Sequence, residues 1–221
     1  MFPLYDTVRS HKFPLINLTL ISVNILAFLY ELQMNSPALK DFIFAWGLIP
    51  VQFWSQPSSE WLTIFTAMFL HGGWFHIINN MWVLFIFGDN VEARLGGTRY
   101  LLFYLLSGTA AGLMQTYILP SSNVPMIGAS GAIAGVLGAY LVLFPRSRIA
   151  SLVPIFFIFT LIEIPAFIFL IFWFVSQLYS GLFAIQGGGA SGIAWWAHIG
   201  GFIFGLITVS FFARRTAYRS W

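Results

Sequence analysis

The chain has 221 residues, 59% of them hydrophobic and only 8% charged, with a mean hydropathy of +0.84. That leaves too little polar surface to cover a water-soluble globule of this size and marks a protein with several membrane spans. The net charge of +3 is small, and zero cysteines exclude a disulfide framework, a thiolate nucleophile and a cysteine-ligated metal.

A helix crossing the bilayer core needs about 20 apolar residues. The first predicted span covers residues 15–31 and ends at Glu31. A mixed stretch with Lys40, Asp41, Pro50, Pro57 and Glu60 follows, and residues 61–70 belong with it as a membrane-associated first outer loop. Further spans are predicted at 74–94, 100–119, 127–144, 165–182 and 193–212. The apolar run 151–182 is too long for one helix at 1.5 Å per residue, and Pro154, Glu163 and Pro165 interrupt it. Its first third is therefore expected at the interface, with the span starting at Pro165, an allowed first-turn position. No small-residue cleavage site follows a short apolar run at the N-terminus, so the first span is read as retained. The fold class expected is all-α: one polytopic domain over 1–221, a bundle of six transmembrane helices.

Lys and Arg favour the cytoplasmic side of short loops. Arg9 and Lys12 precede the first span, Arg94 and Arg99 separate the second and third, and Arg146 and Arg148 separate the fourth and fifth. Arg214, Arg215 and Arg219 follow the sixth, and only Lys40 falls on the other side. A seventh span at 61–70 would destroy this asymmetry. Both termini are then cytoplasmic. Spans two, four and six enter from outside, so His76, Ser130 and His198 all fall near the outer end of the bundle, with His198 roughly 7 to 8 Å deep.

Spacing adds a second layer. His76 and Asn80 are four apart and share a helix face, whereas His71 and His76 do not. Without a His-Glu-x-x-His pattern, no metal site is expected. Gly131, Gly135 and Gly138 form a small-residue stripe beside Ser130, and Gly201 and Gly205 lie on the face of His198; such stripes let helices approach closely in lipid. Each feature has a plainer reading: glycine pairs as packing only, a serine bonded to its own helix turn, and the histidine as a buried partner or proton relay. Trp195 and Trp196 read most simply as interfacial anchors. The loop Gly187-Gly188-Gly189-Ala190-Ser191-Gly192 reads as a connector, not a phosphate loop. Joint placement favours nucleophilic chemistry. Attack on a peptide carbonyl needs an activated hydroxyl, a base and oxyanion donors, roles that Ser130, His198 and the pair His76 and Asn80 fill. Asp6, Asp89, Glu92 and Glu163 fall at the cytoplasmic side, and Glu31, Asp41 and Glu60 at or beyond the outer end, so a dyad is expected, with the outer acids left open as a third member.

The run His71-Gly72-Gly73-Trp74-Phe75-His76 to Asn79-Asn80, the Gly128-Ala129-Ser130-Gly131 run, and Ala197-His198 with Gly201 and Gly205 resemble the rhomboid intramembrane serine proteases over nearly the whole chain. The resemblance implies Ser130 as nucleophile, His198 as general base, and His76 and Asn80 as oxyanion donors. Substrates would be transmembrane helices with small or helix-breaking residues near the outer face, entering from the bilayer. The fifth span and the glycine-rich loop after it form the expected gate; hydrolysis also needs a water-filled cavity, which the 120–127 segment is expected to border. Neither cofactor nor nucleic acid is expected, the oligomeric state is left open, and the location implied is the cell membrane. Two positions depart from the pattern. Leu62-Thr63 stands where well-studied members have Trp-Arg, and Ala134 replaces an aromatic that stacks on the histidine, so His198 must be held by other neighbours, with Trp195 or a second-span side chain as candidates. The alternatives are a catalytically silent relative that binds and escorts transmembrane helices, and a transporter, for which no inverted repeat is seen.

Overall fold

The computed structural model describes residues 1–8, 10, 12–155, 158–185 and 192–214. In chain order these form strand β1 (Phe2–Asp6) and helices α1 (Leu15–Glu31), α2 (Ser36–Trp46), α3 (Pro50–Ser55), α4 (Pro57–Glu60) and α5 (Thr63–Thr66). A 3-10 turn (Ala67–Phe69) leads to α6 (Trp74–Leu95), α7 (Gly97–Ile118) and α8 (Ser130–Leu143). Strands β2 (Arg148–Ile155) and β3 (Ile158–Pro165) then precede α9 (Ala166–Ile185) and α10 (Trp195–Phe212). Among the described residues, α7, α9 and α10 are long and apolar enough to cross a membrane, while α1 and α8 are apolar but shorter. Large apolar side chains stay exposed on the outside of the bundle, such as Phe172 on α9 and Phe211 on α10; they are positioned for contact with lipid rather than water.

Helix α8 is the axis. Every residue from Gly131 to Tyr140 is buried, because its glycines let α10 and α7 approach to backbone contact. A Cβ on Gly205 would lie 2.0 Å from the Gly135 oxygen, one on Gly201 2.0 Å from the Gly131 oxygen, and one on Gly135 2.4 Å from the Ser107 side chain. Without a hydrophobic force between helices in lipid, this fit of small residues is the main source of association. Helix α1 is tied down differently. The Glu92 carboxylate of α6 accepts from the backbone amides of Ile16 (3.1 Å) and Asn17 (2.7 Å), satisfying first-turn donors that have no partner within their own helix. The Asn17 side chain then links Leu84 O (3.1 Å) and Tyr100 OH (2.7 Å). Arg99 and Arg214 gather at this same end, donating to Phe212 O (3.4 Å) and Leu95 O (3.1 Å). Arg9, Arg215 and Arg219 of the predicted basic flanks lie outside the described residues.

The expectation of an all-α fold is corrected by a small antiparallel sheet of order β1-β2-β3. Its hairpin occupies the part of the 151–182 run assigned to the interface. Short apolar runs do not distinguish strand from helix by periodicity, and the interrupting residues suit strands. Pro154 lies beyond the stretch of β2 that pairs with β1, residues Ile149–Leu152, where a missing amide breaks no ladder bond on that side. Pro165 closes β3 immediately before α9. The sheet lies at the end of α8 opposite Ser130: Tyr140 in the last turns of α8 donates to Asp6 and contacts Ser147 Oγ at 3.0 Å.

Candidate active site

Ser130 is the first residue of α8, and the chain reaches it through a segment pinned on two sides. Leu48 and Met126 form a two-way backbone bridge, N to O at 3.0 and 2.8 Å, and the Gly128 amide donates to Ala67 O at 2.8 Å. Gly128 has φ +119°, a conformation that disfavours any side chain. His198 lies in the first turn of α10, whose start is held by α7: the Ala197 amide donates to Gln115 Oε1 at 3.1 Å. The glycine contacts between α8 and α10 bring the two side chains together, with His198 Nε2 2.8 Å from Ser130 Oγ.

His76 and Asn80 occupy the first two turns of α6 and share a face, as their spacing predicts. A Cβ built on Gly128 would lie 2.6 Å from His76 Nε2 and 3.5 Å from Asn80 Nδ2, so both nitrogens converge beside the Ser130 turn. Their hydrogen atoms are fixed by outer partners. The Gly72 amide donates to His76 Nδ1 (3.4 Å), which leaves the ring proton on Nε2. Buried His71 places Nδ1 at 3.3 Å from Phe69 O, an obligate acceptor, so its Nε2 accepts from Asn80 Nδ2 at 3.0 Å. Burial pushes the His71 imidazole down to about 4, which keeps it neutral and able to accept. The four side chains His76, Asn80, Ser130 and His198 line one cavity of about 290 Å³, closed further by Met68 and Phe75.

Among the described residues, neither an acid nor a second-span side chain holds His198. The contact to its Nδ1, 2.8 Å, comes from Gln177 Oε1 on α9, and the ring lies between Trp173 (centroids 6.0 Å) and Trp195 (6.1 Å, nearly perpendicular). Trp195, read both as an anchor and as a candidate neighbour of the histidine, packs on its ring. Ala134 is fully buried with its methyl close against α10, where a Cβ on Gly201 would lie 3.4 Å from it. Glu31 is occupied elsewhere, taking the His71 amide on both oxygens at 3.2 Å. Leu62-Thr63 sits at the start of α5, with Thr63 Oγ1 donating to Glu60 O (2.6 Å). Of the expected gate, residues 187–191 lie outside the described residues.

The family is decided by the extent of the match. A rhomboid domain model aligns with residues 58–215. The chain belongs to the rhomboid family. This rhomboid is accordingly a membrane protein. The rhomboid-named protein YdcA of Bacillus subtilis (strain 168) is 31% identical over 130 residues, 58% of this chain and 62% of YdcA. Rhomboid protease GluP of the same organism is 39% identical over 82 residues, 37% of this chain and 16% of GluP. Inactive RHOMBOID-like protein 8 of Arabidopsis thaliana is 34% identical over 103 residues, 44% of this chain and 29% of that protein. The chain thus spans less than two thirds of the length of these relatives.

Gln177 has a signal of its own in the sequence. A glutamine beside a serine within the 20 residues of α9, otherwise almost wholly apolar, is costly in lipid and marks a polar contact.

Proposed function

We propose that this rhomboid is an intramembrane serine endopeptidase that hydrolyses peptide bonds in or near transmembrane segments of membrane proteins. The observation carrying this reading is the 2.8 Å contact between His198 Nε2 and Ser130 Oγ. His198 takes the hydroxyl proton as Oγ attacks the scissile carbonyl carbon. The oxyanion then forms beside His76 Nε2–H, Asn80 Nδ2–H and the first-turn amides of α8. His198 returns the proton to the leaving amine, and water reverses the sequence on the acyl-enzyme. Preorganised donors of this kind contribute on the order of a hundred-fold each.

The proposed setting is a single domain of six membrane crossings with both termini cytoplasmic in a cell membrane and the cavity opening to the other side. The charge asymmetry of the loops supports it. So does the length of α8: its 14 residues rise about 21 Å against a hydrocarbon core of about 30 Å, which starts the helix, and Ser130, below the membrane surface. Substrate helices must present an extended, unwound segment to such a recessed serine.

A catalytically silent escort is the second reading, favoured by one relative's name. Binding alone gives no reason to keep a serine and a histidine in contact. Labelling of the full chain by a fluorophosphonate, in detergent and in liposomes, separates the two. Wild type should be labelled and Ser130→Ala should not; equal labelling rejects the protease reading. In cleavage of a model transmembrane substrate, His198→Ala should abolish product, and persistent product would remove His198 as the base.

A further inference from the structure

Gln177 sits 2.8 Å from the ring nitrogen of His198 that faces away from Ser130. It is 7% exposed, and both ends of its amide are engaged. Its Nε2 lies 3.3 Å from Trp173 O and 3.0 Å from Ser176 Oγ. Trp173 O can only accept, and Ser176 spends its own proton on that same carbonyl at 2.6 Å, so both partners require the NH2 end of Gln177. The amide orientation is therefore set by α9 itself and not by the histidine. Oε1 faces His198, and an oxygen acceptor there requires the proton on Nδ1.

We propose that Gln177 is a positioning residue that holds His198 in the Nδ1–H tautomer, directing the Nε2 lone pair at Ser130 Oγ. This rests on the reading of Ser130 and His198 as nucleophile and base. The consequence is a dyad with a neutral third partner. An amide oxygen selects the tautomer and ring angle as a carboxylate does, but adds no charge to stabilise the imidazolium. Because Gln177 belongs to α9 and His198 to α10, the base is aligned only while those two helices are docked at this level. Trp173 and Trp195 flank the ring through aromatic contacts that limit its tilt, while the contact at Nδ1 that sets the tautomer comes from Gln177.

Two substitutions separate positioning from packing. Gln177→Met keeps length and volume but cannot accept; Gln177→Glu can accept and adds a charge. In fluorophosphonate labelling of the full chain, Gln177→Met should react about ten- to a hundred-fold more slowly than wild type, with a Tm close to wild type. Gln177→Glu should recover labelling and move the acid limb of the rate profile to higher pH, because a carboxylate favours the imidazolium. Among the described residues, His76 is the other titratable side chain lining the cavity, and repeating the profile in His76→Gln assigns the limb. Gln177→Met labelling at the wild-type rate, or an unmoved limb in Gln177→Glu, overturns the inference. If wild type reacts no faster than Ser130→Ala, the protease reading itself fails. A readout independent of activity then decides the tautomer: 15N NMR of histidine-labelled protein, assigned with His198→Gln, should show His198 protonated on Nδ1 and lose that preference in Gln177→Met. An Nε2–H tautomer in wild type overturns the proposal.

Discussion

Asp6 shows how one carboxyl can tie a terminal strand to a helix bundle. Burial pushes its pKa up to about 6 from the ordinary 3.8, against hydrogen bonds from Tyr140 and Asn90 that pull it down, while the nearby Asp89 adds to the rise. Asn90 Nδ2 lies 2.9 Å from Asp6 Oδ2. The docked strand thus binds a proton more tightly than the undocked one. Its stabilisation is complete below about pH 4 and is lost as pH rises through about 6. Limited proteolysis should therefore trim the first residues faster at pH 8 than at pH 5, and Asp6→Asn should flatten that dependence; a slope of the opposite sign would remove Asp6 as its source. At this scale the candidate site was legible where residues share a helix face or a helix end, as His76, Asn80, Ser130 and His198 do. Gln177 was not, because it reaches His198 across a loop whose length follows no helical period.

Among the elements, the pair α8 and α10 carries the sharpest constraint. The groups that a Cβ on Gly205 or Gly201 would strike are backbone oxygens, which cannot rotate aside, so the helices themselves must separate. Gly205→Val should cost more than about 3 kcal/mol and, by parting Ser130 from His198, slow fluorophosphonate labelling as well. Thermal unfolding in detergent measures the first effect. Gly72→Ala is the control, since among the described residues its Cβ would meet only Ile127 Cδ1 at 3.6 Å, and its Tm should hold. The glycine stripes announced this contact in the sequence because small residues have few other uses at such spacing. The hairpin β2–β3 was hidden, because apolar residues serve strand and helix alike and only long-range pairing with β1 selects the strand.

For the whole molecule, the distribution of basic residues is the legible feature and the number of crossings the proposal that rests on it. The chain has no cysteine, so each introduced one is unique. In intact vesicles, Asp41→Cys and Arg146→Cys, both exposed, should react with an impermeant maleimide from opposite sides; labelling of both from one side would refute the proposed topology. The sheet has a further consequence in time. Asp6 pairs with Ile149 and Phe2 with Leu152, so β1 must wait for a partner synthesised roughly 140 residues later, on the order of ten seconds at ordinary elongation rates. During that interval α1 and α6 to α8 are already emerging while the strand's edge stays unmatched. Closing the sheet is consequently a late event in biogenesis, and it joins the chain's beginning to the connection that leads into α9.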